Sequence, residues 1–121
     1  MPKTGDPQQA MLVVCVLYEP AYLDDVLAAF LEAGVTSATV LESQGMGRLL
    51  SRDMPIFASF RHLLTGASPY SYTIMAPVEE ATATQELLAL VRDVLSTAPE
   101  DERGFLFALP LAVYVNLNAD G

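Results

Sequence analysis

One order of patterns occurs twice in this chain, and that repetition constrains the fold more than any other feature. Met11 to Tyr18 (MLVVCVLY) is β-branched and apolar on both faces, too short for an independent helix and closed by Glu19-Pro20, so it reads as a central strand. Leu23, Val26, Leu27, Phe30 and Leu31 then follow the i, i+3, i+4, i+7, i+8 stripe of an amphipathic helix, with Gly34 placed to stop it. Ser37 to Ser43 reads as a second, more polar strand leading into Gly45-Met46-Gly47-Arg48. The pattern then returns. Ser71 to Val78 reads as a strand, and Thr82 and Gln85 have the spacing of a capping box before Leu87, Leu88, Val91, Val94 and Leu95. That helix ends near Thr97 and Pro99, and after an acidic loop Phe105 to Leu117 alternates as one long final strand.

Two consecutive strand-helix-strand units with short internal loops interleave most economically into one four-stranded antiparallel sheet with both helices on a single face. The expected fold class is therefore α+β, a ferredoxin-like βαββαβ sandwich with an extended loop between strands 2 and 3. Residues 11–118 form the expected single domain, behind a flexible N-terminal extension over 1–10. Helices cover only one sheet face, yet the first strand is apolar on both sides. The last carries one stripe through Phe105, Phe107, Leu109, Leu111, Val113 and Val115 and another through Leu106, Ala108, Ala112 and Tyr114. A mean hydropathy of +0.35 adds to that surplus, and burial of the sheet face between copies resolves it.

Charge excludes one class of partner. Fifteen acidic residues stand against six Lys/Arg, a formal net charge of −9, whereas a nucleic-acid reader needs clustered basic residues. No apolar stretch is long enough to span a bilayer, and the polar start, with Pro2, Gly5 and Pro7, has no leader-like run, so direct membrane insertion is not expected. Cys15 is the only cysteine and sits inside an apolar strand, which points to a reducing, cytoplasmic setting and a buried, unreactive thiol.

The connection between the halves is too long for a simple hairpin. Within it, Ser51 or Asp53 can cap, Pro55 suits a first turn, Ile56, Phe57, Phe60, Leu63 and Leu64 follow a helical stripe, and Gly66 can terminate it. Arg48, Arg52 and Arg61 against Asp53 make this stretch basic in an acidic chain. Arg52, Ile56, Phe57, Phe60, Arg61 and Leu64 are the candidate partner-binding residues.

Tyr22-Leu23-Asp24-Asp25-Val26, Leu31-Glu32-Ala33-Gly34-Val35, Thr39-Val40, Gly45-Met46-Gly47-Arg48, and Gly104-Phe105-Leu106-Phe107 with Ala112 together resemble the PII signal-transduction family over about Met11 to Asn118. The resemblance implies a cytoplasmic homotrimer that binds nucleotides in clefts between subunits. It also implies a long central loop, the T-loop, that docks onto a regulated enzyme or membrane transporter, as in nitrogen regulation, without catalysing a reaction. Carried over residue by residue, it gives Gly45, Gly47, Arg48, Arg103, Gly104, Asn116 and Asn118 as the candidate ligand-binding set.

The departures from the family matter chemically. Phe105 stands where the family has a lysine, and Asn116 and Asn118 where it has arginines, so the cation cage for a triphosphate is missing. Glu100, Asp101 and Glu102 add acids where phosphate would lie. The ligand expected instead is an adenine nucleotide of low charge, AMP or a cyclic nucleotide. Leu49 replaces the glutamine used with magnesium and 2-oxoglutarate, and no Tyr occurs from Arg48 to Pro69 to be modified.

Other chemistries find little support. His62 is the only histidine, so no histidine pair for zinc can be built, and adjacent Glu100, Asp101 and Glu102 lack the alternate spacing that wraps calcium. No metal or catalytic residue is expected. The alternatives kept open are a ligand-independent interaction trimer and a small ferredoxin-like enzyme drawing on Glu42, His62, Tyr70 and Tyr72.

Overall fold

The computed structural model describes residues 8–46 and 70–118. Strands β1 (Met11–Leu17), β2 (Thr39–Gln44), β3 (Tyr70–Val78) and β4 (Gly104–Pro110) form one sheet in the order β2-β3-β1-β4, with every neighbouring pair antiparallel. Helices α1 (Leu23–Glu32) and α2 (Ala81–Val94) pack against each other and cover one face of it. This is the expected ferredoxin-like sandwich.

The core follows from the strand period. Val13, Cys15 and Leu17 of β1 share a face with Ile74, Ala76 and Val78 of β3, and all are buried against Val26, Ala29 and Phe30 of α1 and Leu87 and Val91 of α2. Gly34 ends the first helix as expected, at φ +84°. The Gly34 N–H donates to Leu31 O (2.9 Å) and the Val35 N–H to Phe30 O (2.8 Å), the paired bonds of a Schellman cap, while Val35 and Phe30 are both buried.

Three expectations are corrected. β2 starts at Thr39 rather than Ser37. The Leu111 N–H bonds the Ala10 carbonyl (2.9 Å), and strand alternation from that pair points the Pro77 nitrogen toward the β2 side of β3. Proline has no N–H to offer Ser37, so the ladder stops at Thr39↔Met75.

β4 ends at Pro110, and residues 111–118 lie outside the sheet although their alternation continues. Its partner β1 begins at Met11, paired with Pro110, and among the described residues the backbone pairing continues past that point only through the Leu111–Ala10 bond. Gln9 is nonetheless buried and donates from Nε2 to Leu111 O (2.8 Å).

The capping box is absent. α2 begins at Ala81 with extended Glu80 as the residue before it, and no side chain caps an amide. Thr82 lies inside the first turn with its hydroxyl 3.5 Å from Glu80 Oε2, and Thr84, Leu87 and Val91 are the residues this helix buries.

The face of the sheet away from the helices is apolar or hydroxylated throughout. Register places Leu12, Val14, Val16, Thr39, Leu41, Ser43, Ser71, Thr73, Met75, Pro77, Phe105, Phe107 and Leu109 there, and none carries a charge. Phe105 and Leu109 are each 50% exposed. Phe105 stacks on Phe107 with ring centroids 6.2 Å apart and meets the edge of Tyr18.

Candidate functional site

Leu17↔Gly104, Leu17↔Tyr72 and Gln44↔Tyr70 bring the end of β1, the start of β4 and both stems of the central connection to one end of the sheet. Gly45, Arg103 and Gly104 therefore sit at that end. A hydroxyl chain runs beside it on the open face, Ser43 Oγ lying 2.8 Å from Ser71 Oγ and 2.9 Å from Thr73 Oγ1.

The glycines there differ in cause. Gly104 has φ +102°, and a β-carbon on it would run into the Val16 carbonyl oxygen, so the approach of β4 to β1 alone demands glycine. Gly45 has no positive φ, and a β-carbon there would meet nothing within 4 Å. Nothing among the described residues requires glycine at that position.

Arg103 is fixed by the loop that precedes β4. Its Nε donates to Ala98 O (2.9 Å) and its Nη2 to Ser96 O (3.3 Å), which leaves three of its five N–H donors for another partner. It lines a groove of about 450 Å³ between α2 and β4, together with Arg92 and Gly104. The Cys15 thiol also faces this groove, and burial pushes its pKa up to about 11, so it stays protonated at neutral pH as a buried hydrophobe.

Asn116 and Asn118 are elsewhere. Asn116 lines a polar cavity of about 390 Å³ with Gly34–Ser37, Pro77–Glu80 and Tyr114, at the end of the sheet where β1 begins. Its Oδ1 accepts from the Asn118 N–H (2.9 Å). One chain thus holds Gly45, Arg103 and Gly104 at one end of the sheet and Asn116 and Asn118 at the other. The remaining expected ligand and partner residues, Gly47, Arg48, Arg52, Ile56, Phe57, Phe60, Arg61 and Leu64, fall outside the described residues, as does His62.

Among the acid-base candidates, Glu42 and Tyr72 are cross-strand partners on the helix-side face, and Tyr70 pairs with Gln44. Among the described residues no cluster of His, Cys, Asp or Glu could hold a metal ion, and no helix is long and apolar enough to cross a membrane. Arg92 is a groove residue that sequence reasoning missed. Its signal is its phase on the Leu88, Val91, Leu95 stripe, which turns it toward β4.

Comparison with known proteins gives a fold. No family model matches the chain, and no curated protein matches it either. Among solved structures, that of Arabidopsis thaliana PII bound to citrate superposes with a TM-score of 0.62 at 16% identity, covering 90% of this chain and 82% of that one. The fold is PII-like.

Proposed function

We propose that this chain is a regulatory protein of the PII-like kind, which binds a small ligand in clefts between copies of itself and a protein partner through the connection between β2 and β3. It acts as a sensor and catalyses no reaction. The observation that carries the reading is the uncharged open face of the sheet, with Gly45, Arg103 and Gly104 at one end of the sheet and Asn116 and Asn118 at the other. A face of that size without a charge is the surface of an interface, and closed homotrimers are the assembly that the PII-like fold suggests. Val113, Val115 and Leu117 extend the apolar surplus beyond the sheet at 66% exposure or more.

In a trimer, the Asn116 and Asn118 of one copy meet the Gly45, Gly47, Arg48, Arg103 and Gly104 of the next. The ligand is an adenine nucleotide of low charge, AMP or a cyclic nucleotide, because asparagine amides and at most two arginines suit one phosphate and not three. Occupancy of the cleft changes how the 49–69 connection presents Arg52, Ile56, Phe57, Phe60, Arg61 and Leu64 to a regulated enzyme or membrane transporter in the cytoplasm.

The test is a thermal-shift titration of the purified chain with AMP, cyclic AMP, ATP, 2-oxoglutarate and citrate. A ligand that binds only the native state adds about 2.7 kcal/mol at a hundred times its dissociation constant. A saturable rise with AMP or cyclic AMP, lost in Asn116→Ala, supports the cleft. No rise with any of them removes ligand sensing and leaves a ligand-independent interaction trimer.

A further inference from the structure

Arg92 and Arg103 are the only Lys or Arg among the described residues, in a body whose helices and loops carry carboxylates, and both line the same groove. The groove runs between α2 and β4 on the helix side of the sheet, away from the open face. Its walls are apolar: Leu88, Val91 and Leu95 come from one side of α2 and the turn after it, and Leu106 from β4. Neither arginine makes an ion pair among the described residues, although Asp93 follows Arg92 and Glu102 precedes Arg103 in the chain. The helix neighbours of Arg92 at three and four residues are Leu88, Ala89, Leu95 and Ser96, all uncharged, and Arg103 is held by two carbonyl oxygens instead of a carboxylate.

The backbone adds donors at the same rim. Alternation from the Leu111–Ala10 bond pairs Phe105 and Phe107 with β1, so the Gly104 and Leu106 amides face the free edge of the sheet. A volume of about 450 Å³ with apolar walls and a few convergent donors is the form of a small-molecule site.

We propose that this groove binds a small amphiphilic organic anion, with its apolar body against Leu88, Val91, Leu95 and Leu106 and its carboxylate or phosphate head between Arg92 and Arg103. The head group takes charge-assisted bonds from two arginines that hold no carboxylate among the described residues. The site shares Arg103 and Gly104 with the proposed nucleotide cleft but adds Arg92 and the α2 wall from the same chain, so a variant at Arg92 tests it apart from that reading.

The experiment is an amide NMR titration of the full chain with decanoate and decyl phosphate below their micellar concentrations, and with decanol as the uncharged control. Saturable shifts at Arg92, Ser96, Arg103 and Leu106 are expected, with decanol weaker by about tenfold or more, since it forgoes the charge-assisted bonds. Arg92 is exposed, so Arg92→Gln keeps the fold; it is expected to weaken both anions about tenfold and to leave decanol and any AMP response unchanged. Leu88→Trp, which fills the groove from its half-buried side, is expected to abolish all three. A stronger response to decanoate than to decyl phosphate, or the reverse, identifies the head group. Equal affinity for decanol and decanoate, undiminished affinity in Arg92→Gln, or shifts confined to Val14, Phe107 and Leu109 on the open face would each overturn the proposal.

Discussion

Gly104 brings its bare α-carbon against the carbonyl oxygen of Val16, at a φ of +102°. Gly34 has a comparable φ, +84°, but open space where a β-carbon would go. The two positions separate backbone strain from steric overlap. Gly34→Ala is expected to cost about 1 kcal/mol, the backbone penalty alone. Gly104→Ala adds displacement of β4 from β1 and is expected to cost about 3 kcal/mol or more. Urea unfolding of both variants checks the difference, and equal losses would remove the packing argument.

The Cys15 thiol has its pKa pushed up to about 11 by burial, above the 9.0 of a free thiol. Below pH 9 both folded and unfolded chains keep the proton, so nothing is lost. Between pH 9 and about 11 the unfolded chain releases it and the folded chain does not, so stability falls by about 1.4 kcal/mol per pH unit. Cys15→Ala is expected to lack this component when its pH profile is compared with that of the native chain. At pH 8, native Cys15 is expected to resist iodoacetamide until the protein unfolds.

The strands and helices were legible where the pattern is local. The double apolar face of Met11–Tyr18, the helical stripe from Leu23 and the Gly34 stop each follow from neighbouring residues, and each is found in place. The errors come from pairing. Pro77 shortens β2 only because its nitrogen points toward Ser37, and β4 ends at Pro110, opposite the start of β1; neither fact exists until register is set. The site was legible in part for the same reason. Gly104 and Asn116 fall in one set by resemblance, and only the topology separates them to opposite ends of the sheet. Arg92 has the pattern of an ordinary surface charge until the strand it faces is known.

Thr84 is buried on α2, and its Oγ1 has no hydrogen-bond partner. A hydroxyl taken from water without compensation costs about 1–3 kcal/mol. Thr84→Val keeps the shape and removes the oxygen, so it is expected to stabilise the chain by about 1 kcal/mol after a small loss of fit. Calorimetric Tm measurement checks it, and a lower Tm would mean that the hydroxyl finds a partner in solution.

Arg103 ties the carbonyls of Ser96 and Ala98 to the start of β4. Arg103→Ala leaves both without that donor and is expected to cost about 1–2 kcal/mol, since hydrogen bonds from a charged group are the stronger kind and the site is partly wet. Arg103→Lys supplies one point charge in place of the planar fork and is expected to recover less than half. Hydrogen exchange resolved to Ser96–Gly104 checks that the loss is local.

Phe107 sits midway along the edge strand β4 on the uncharged face, opposite Val14 and stacked on Phe105, with 43% of its surface exposed in the single chain. If that face is buried between copies, Phe107→Asp places a carboxylate in an apolar interface with no partner, at a cost of several kcal/mol. The single chain loses far less, because a half-exposed position lets the carboxylate reach water. The variant is therefore expected to sediment as a monomer with its circular dichroism unchanged, while the native chain sediments at three times the chain mass. Phe107→Leu keeps the face apolar and is expected to retain the trimer. An Asp variant that stays trimeric would place the interface elsewhere, and a native chain that is monomeric at high micromolar concentration would leave the open face without the partner that its lack of charge calls for.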